Sequence, residues 1–528
     1  MIELAGIDLV IRGGRVVDGT GMPWFRSDIA VAGDRIEFIG GFHGTAAREI
    51  DAGGHVVCPG FIDVHTHSDL QALAAPDHMP KVHQGVTTDL IGLDGIGYAP
   101  LSRENIEKMH HYWAGLSGEL GRDWSWSSID ELLSEFDGTT SANVAAMVPH
   151  GCIRTEVIGF EDRAATEDEI TAMQALTAES FEQGAVALST GLDYYPCGFA
   201  DTDELVELAS VAACFAAPYV AHQRARRGDG FLDPFRETLE VGRRSGAPVH
   251  TSHFGIGATN AGGSAIVLEM LDEARAAGVD ITYDAYPYEA GSTGLHIFMP
   301  GWAHDGGPES MLRCVRPGAE RERLVHELRN PKAGLVLGTG EHLTMSYVAG
   351  DGNEWMEKRR LSDIADELGM DAAEAAAEIM HRSGQRNSGV ISRGSEPDIR
   401  EMIRHPAHMF SSDALLIGSH PHPRSRGNYP RVLGRYVREL GILTLEDAIR
   451  HMTSVPAAKF GLSDRGILRR GMAAATVWFD PETIRDNATY QDPLLLSEGV
   501  ETVIVNGVRV IDQGAHTHAR PGRGLRRS

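Results

Sequence analysis

The chain has 528 residues, 42% hydrophobic and 23% charged, the make-up of a globular protein too long for one ordinary core. A formal charge of −26 argues against nucleic acid or an anionic membrane as a partner held by bulk electrostatics, but not against an anionic small molecule held by a local basic cluster. Five cysteines without CxxC spacing indicate neither a disulfide framework nor a zinc knuckle, and no run reaches the ~18 apolar residues that span a bilayer.

Met1 to Arg15 lacks a basic leader with an apolar core, so the expected location is the cytoplasm. Residues 1–59 read as short strands between Gly-rich turns: Ile7–Arg12, Arg15–Asp18, Asp28–Val31 and Arg35–Ile39. Next comes Gly60-Phe-Ile-Asp-Val-His-Thr-His-Ser-Asp69, where a buried strand gives way to a loop at His65 and His67. Two histidines at i and i+2 point to the same side of an extended chain, an arrangement that suits zinc.

Strand and helix then alternate. Predicted strand 1 ends at His65, and strands 2 to 5 are Gly85–Ile91, Asn143–Val148, Gly184–Leu188 and Pro218–Ala221. Strands 6 to 8 are Pro248–Thr251, Asp280–Tyr283 and His408–Ser411. Helices fill the intervals, among them Thr166–Gln183, with Thr166 as N-cap, and Asp203–Ala217. Eight such units predict an α/β fold, a (β/α)8 TIM-like barrel whose chemistry lies at the C-terminal ends of its strands. The segment from about 287 to 405 is too long for one crossover. It is read as an insertion that lids the site, with a strand at Gly334–Leu337 and a helix over Met370–Arg382. The C-terminal end returns to strands: Ala475–Phe479, Val500–Val505 and Val508–Ile511, with a turn at Asn506-Gly507.

The strand ends carry the chemistry. Strand 2 runs into Asp94, strand 5 into His222, strand 6 into His253 and strand 8 into Asp413. With His65 and His67 they fall on one face of the predicted barrel, where imidazole and carboxylate converge on one or two metal ions.

The Gly60–Asp69 decapeptide resembles the strand-1 metal motif of the amidohydrolase superfamily. Ser189-Thr-Gly-Leu-Asp-Tyr194, Asp284-Ala-Tyr-Pro-Tyr288, Ala290-Gly-Ser-Thr293, Tyr429-Pro-Arg-Val-Leu-Gly434 and Ala457-Ala-Lys-Phe-Gly461 narrow the resemblance to the N-acyl-D-amino-acid deacylases, or D-aminoacylases, nearly end to end. That resemblance implies a small β-sandwich formed by residues 1–59 and 464–528, flanking a barrel over 60–463. It implies one zinc held by the strand-2 residue with the histidines of strands 5 and 6, a weaker second site at the strand-1 pair, and the strand-8 aspartate, Asp413, as general acid and base. Tyr286 and Ser292 match family contacts to the substrate carboxylate, Tyr194 and Arg424 match substrate-contact positions, and Arg224 follows the strand-5 ligand.

The chain also departs from this family. Gly92-Leu-Asp94-Gly95 stands where the family has Gly-Asn-Cys-Gly. A carboxylate is harder than a thiolate, so the metal preference widens from zinc towards other divalent ions. Strand 4 ends without a lysine to carbamylate, leaving Asp94 as the candidate bridge. Lys81 is expected at the surface, and Arg226 and Arg227 at a solvated helix start. Gly255 replaces the lysine that meets the substrate carboxylate. The expected activity is metal-dependent hydrolysis of the amide bond of a small N-acyl-D-amino acid or related N-acyl compound. Cyclic amides, D-residue dipeptides or lactones remain open for the same site, as does a non-catalytic metal-binding barrel. A homo-oligomer is compatible with the sequence.

Overall fold

A computed structural model describes residues 6–224, 228–257, 260–331 and 335–527; the predicted helix start at Arg226 and Arg227 lies outside them. The N-terminal strands are β1 (Leu9–Val16), β2 (Phe25–Ala32), β3 (Arg35–Gly40), β4 (Arg48–Asp51) and β5 (Val56–Pro59). The two strands expected at Ile7–Arg12 and Arg15–Asp18 form a single β1. Its register against β2 shifts between Ile11 and Gly14, around Gly13 at φ 63°, so a bulge was read as a turn.

Three strands then pair in parallel: β6 (Phe61–Asp63), β7 (Val86–Ile91) and β8 (Asn143–Ala146). A second parallel ladder runs through β9 (Val148–Pro149), β10 (Leu188–Gly191), β11 (Tyr219–His222), β12 (Val249–Thr251) and β13 (Ile281–Ala285). Predicted strand 4 begins later than its apolar run, because the register Leu188↔Tyr219 to Gly191↔His222 carries the pairing into Ser189, Thr190 and Gly191. The helix Glu167–Glu182 starts at Thr166 through a capping box with Glu169, as the sequence predicts.

After β13 the insertion forms its own antiparallel sheet from β14 (Ala290–Thr293), β15 (Leu343–Val348) and β16 (Asn387–Ser392), with β16 in the middle. The strand expected at Gly334–Leu337 is not formed over the described residues 335–337, and Gly334 lies outside them. The expected helix runs Ala372–Arg382. β17 (His408–Phe410) completes the second ladder beside β13.

The ladders meet at both ends. Met147 N–H donates to Ile91 O at 2.9 Å, while the neighbouring Val148 N–H donates to Ala187 O at 2.8 Å. Across the other junction Thr66 bridges Ala414, and Asp413 N–H donates to His65 O at 2.8 Å. The nine strands of the two parallel ladders, with β8 and β9 consecutive in one segment, therefore deliver their C-terminal ends to one side, which is where the site lies.

The chain closes with β18 (Thr476–Phe479), β19 (Val500–Val505), β20 (Val508–Asp512), β21 (Ala515–His516) and β22 (Gly524–Leu525). β18 pairs antiparallel with β5, Val477 against Cys58, which joins the two chain ends in one nine-stranded sheet. Side chains alternate across it. Val57 and Ile504 face a cluster with Leu9, Ile29 and Leu468. Cys58, Val477 and Val503 face Phe410, Tyr429 and Val432 of the central body.

Candidate metal centre and active site

The loop after β7 builds the centre of the site. Gly92, Asp94 and Gly95 all take left-handed backbone conformations, with φ of 80°, 55° and 67°. Asp69 accepts from Gly92 N–H at 3.0 Å, and the Ser189 hydroxyl accepts from Gly95 N–H at 2.9 Å while donating to Gly92 O at 2.6 Å. Gly191 presses from the adjacent strand: a Cβ there would lie 2.1 Å from Asp94 O. These clamps aim one carboxylate into the mouth of the strands.

Asp94 Oδ2 lies 3.4 Å from His65 Nε2, 3.6 Å from His67 Nε2, 3.4 Å from His222 Nδ1 and 3.4 Å from His253 Nε2. Two atoms bound to one tetrahedral zinc at ~2.0–2.1 Å sit about 3.3–3.4 Å apart, so the spacing is that of ligands around a shared cation. Asp413 Oδ1 faces the same group, 3.4 Å from His67 Nε2 and 3.8 Å from His65 Nε2. The donors fall into two overlapping sets, His65–Asp94–His253 and His65–His67–Asp413.

Both ring nitrogens of His65, Nδ1 of His67 and Oδ1 of Asp94 are buried without a hydrogen-bond partner. Buried polar atoms without partners are costly. A divalent cation among them removes that cost, so these residues fit a metal. Backbone strain points the same way: besides Asp94, His253 and Asp413 have φ of 30° and 45°. Non-glycine residues hold such angles at a cost of about 1–3 kcal/mol each, typically where function demands it.

A second layer orients the donors. Asp284, at the end of β13, accepts from His253 N–H at 2.9 Å and from the Ser411 hydroxyl, and faces His250 Nε2 at 2.9 Å and His65 Nδ1 at 3.9 Å. Burial pushes its carboxyl up, but the hydrogen bond with His250 and the facing His65 imidazole outweigh burial and hold it well below the usual range. Asp193 Oδ2 meets His222 Nε2 at 3.3 Å. Burial lowers the His222 pKa, and Asp94 with Asp193 more than reverses this, raising it to about 9.

Asp413 Oδ2 pairs with Arg424 Nη2 at 2.8 Å. Burial raises the Asp413 pKa, yet Arg424 and then His67 bring it far below the ordinary carboxylate value. Arg424 is fully buried, its guanidinium 4.2 Å from the centre of the Tyr286 ring, with Nε and Nη1 unpartnered.

The cavity above the site is lined by His67, Asp94, His222, His253 and Asp413 together with Tyr194, Tyr286 and Ser292. The Tyr194 hydroxyl is 2.8 Å from that of Thr293, and the Ser292 hydroxyl is buried without a partner. Arg424 sits behind Tyr286, off the cavity wall. Arg224 does not reach the cavity. Its guanidinium is spent on Glu237 at 3.0 Å and on the carbonyls of Gly198 and Ala200, because the chain after His222 turns it towards the helix Asp233–Ser245.

Lys81 overturns its expected place at the surface. It is fully buried, paired with Asp63, 3.4 Å from Asp89 and 2.9 Å from the Ser412 hydroxyl. Asp63 also accepts from His65 N–H at 3.3 Å and Ser412 N–H at 2.9 Å, so this ion network anchors the backbone beside His65 and Asp413. Sequence reasoning gave no role to Asp193, His250, Asp284 or Arg393. Asp284 follows the strand-end pattern that found Asp413 and could have been found by it.

A family model described as the amidohydrolase family matches residues 48–511. An N-acyl-D-glutamate deacylase of Alcaligenes xylosoxydans xylosoxydans is 36% identical, covering 99% of this chain and 97% of that protein. A D-aminoacylase of the same organism is 34% identical, covering 99% and 98%. Among solved structures, N-acyl-D-glutamate deacylase from Bordetella bronchiseptica, complexed with zinc and a phosphonate inhibitor that mimics the tetrahedral intermediate, superposes with a TM-score of 0.84. It is 32% identical and covers 99% of this chain and 100% of its own.

Proposed function

This chain belongs to the amidohydrolase family, and on that premise we propose that it is a metal-dependent hydrolase of the amide bond in N-acyl-D-amino acids, releasing a carboxylate and a D-amino acid. The observation that carries the reading is the ring of four imidazole nitrogens around Asp94 Oδ2 with Asp413 facing it. The D configuration rests on what the full-length relatives act on.

We read the two parallel ladders as one (β/α)8 barrel over 60–463, supported by their junctions at Met147–Val148 and Thr66–Ala414. Residues 1–59 with 464–528 then make the β-sandwich domain, and about 287–405 the lid.

Zinc suits this donor set of imidazole and carboxylate. Asp94, His222 and His253 would hold one ion, and His65 and His67 a second, with Asp94 close to both pairs of imidazoles. Such an ion would supply Lewis acidity, making water nucleophilic near neutral pH and polarising the acyl carbonyl.

The rest is done by the chain's own residues. Asp413, deprotonated beside Arg424, takes the proton of the attacking water through Oδ1 and returns it to the leaving nitrogen. Arg424 fixes that carboxylate through Oδ2, and Tyr286 and the Ser292 hydroxyl, both on the cavity wall, receive the substrate α-carboxylate. Tyr194 packs on His222 with ring centres 4.8 Å apart, holding the ligand ring and walling the acyl side.

The test is metal-loaded protein against paired N-acetyl-D- and N-acetyl-L-amino acids, with cyclic amides alongside. Turnover confined to the D series is expected. Turnover of cyclic amides alone would replace this reading.

A further inference from the structure

Asp413 lies where Arg424 holds it, and the Arg424 guanidinium is located by little of its own. Nε and Nη1 have no hydrogen-bond partner among the described residues, and Nη2, beyond its pair with Asp413, lies 3.5 Å from Ser292 O. What remains is the face of Tyr286 and the main chain of Arg424 itself. That main chain opens the helix Arg424–Arg431, where N–H groups have no partner inside the helix. His422 supplies one: its Nδ1 accepts from Arg424 N–H at 3.0 Å. Burial, and then the charge of Arg424, keep this imidazole neutral by pushing its pKa well below the ordinary value. With Nδ1 accepting, the single ring proton sits on Nε2, which faces the Tyr490 hydroxyl at 3.3 Å.

Tyr490 comes from the sheet that joins the two chain ends. It sits on a strap between β18 and β19, closed at its base by two backbone hydrogen bonds of 3.1 Å between Arg485 and Glu498. Asn487 Nδ2 crosses the strap to Leu496 O at 3.1 Å, and Asp492 N–H donates to the Thr489 hydroxyl at 3.0 Å, turning the chain just past Tyr490. Two pins fasten the strap to the helix that Arg424 opens. The Ser497 hydroxyl donates to Arg426 O at 2.6 Å, and Asp486 Oδ2 meets Arg431 Nη1 at 3.1 Å. Gly427 permits the approach, since a Cβ there would lie 2.8 Å from Cβ of Asp486. Tyr490 is 40% exposed, too open to serve as a core anchor, yet its ring meets His422 edge-on with centres 5.2 Å apart. Neither His422 nor Tyr490 lines the cavity, so neither touches the substrate.

We propose that His422 and Tyr490 are positioning residues for the acid–base carboxylate: the strap holds the imidazole, the imidazole holds the start of the helix, and Arg424 at that start holds Asp413 with Oδ1 turned to the metal donors. This rests on the deacylase reading above, and within it on Asp413 as the proton carrier. Without the phenol oxygen the Nε2 proton is buried with no acceptor, so the ring turns and the helix start loses its partner.

The test is a double-mutant cycle on the metal-loaded full chain: wild type, Y490F, D413N and D413N/Y490F, with kcat and KM on the N-acetyl-D-amino acid that the wild type hydrolyses best and metal content measured in each. Phenylalanine keeps the ring and removes only the hydroxyl. Leaving a buried donor unpaired is worth about tenfold or more, so Y490F should lower kcat about tenfold at unchanged KM and metal content. Residues that act through one another are not additive, so in the D413N background the same change should alter the residual kcat by less than about twofold. A Y490F kcat within about twofold of the wild type overturns the inference and leaves the deacylase reading standing. So does an equal loss in both backgrounds, which would mean that Tyr490 acts by a route independent of Asp413. A wild type that hydrolyses no N-acetyl-D-amino acid, or a D413N protein with full turnover, defeats the reading on which this inference rests, and the inference with it.

Discussion

Replacing Asp413 by asparagine tests the chemistry with the least disturbance to the site. The carboxylate has two faces: Oδ2 meets Arg424 at 2.8 Å, and Oδ1 lies 3.4 Å from His67 Nε2. Asparagine preserves the shape, and its carbonyl oxygen can still accept from Arg424, which turns the NH2 group towards His67. That group cannot accept a proton, and a general acid–base group contributes typically ~10²–10⁴-fold. The expected fall in kcat is of that size, about 2.7–5.4 kcal/mol on the barrier at 1.36 kcal/mol per decade. The Asp94–His222–His253 donors are untouched, so the ion they hold should remain. Single-substrate kinetics on N-acetyl-D-amino acids, metal content by elemental analysis and a thermal melt separate the outcomes. A D413N protein that is folded, metal-loaded and within about fivefold of wild-type kcat would refute Asp413 as the proton carrier.

Three further predictions follow from named contacts. D94A and H253A should each lose bound metal and activity together, since Asp94 Oδ2 is the atom on which the imidazoles converge; full occupancy in both by elemental analysis would remove them as main ligands. K81M leaves Asp63 and Asp89 buried without their cation and should cost about 3–5 kcal/mol in denaturant unfolding; a loss below 1 kcal/mol would mean the network carries no net charge. Burial lowers Lys459 to about 8, with Asp280 opposing, from an ordinary 10.5. Between those values the unfolded chain binds the proton that the folded chain has released, so stability rises with pH across that window, by at most ~3 kcal/mol. Relative to K459M, the wild type should therefore gain melting temperature from pH 8 to 10, and a flat difference would contradict a depressed pKa.

Much of the candidate site was legible because side chains that can share an ion fall at short-range positions around strand ends. His65 and His67 share a strand side by the period of an extended chain, and Asp94, His222, His253 and Asp413 each come within three residues of the end of a predicted strand. The structure brings all six together. The barrel-like alternation was legible for the same reason, since parallel strands buried on both faces read as short apolar runs. The limits appear where a local rule has two outcomes. Lys81, on a four-residue helix before β7, looks solvated by propensity; only the fold sets Asp63, Asp89 and Ser412 around it. Arg224 follows a ligand in sequence, yet Glu237, thirteen positions on, takes its charge.

The insertion was the least legible part, and the physical reason bears on specificity. Its length is plain in the sequence, but its sheet joins β14, β15 and β16 from places about fifty residues apart, and no local pattern sets that register. That register brings Arg393, exposed at the cavity rim, to the patch where the Tyr286 hydroxyl lies. The candidate metal donors come from the ends of the parallel strands, whereas part of the cavity wall comes from the insertion, which builds its own sheet. The proposed chemistry thus rests on the strand ends, and the proposed substrate contacts are shared between them and the insertion.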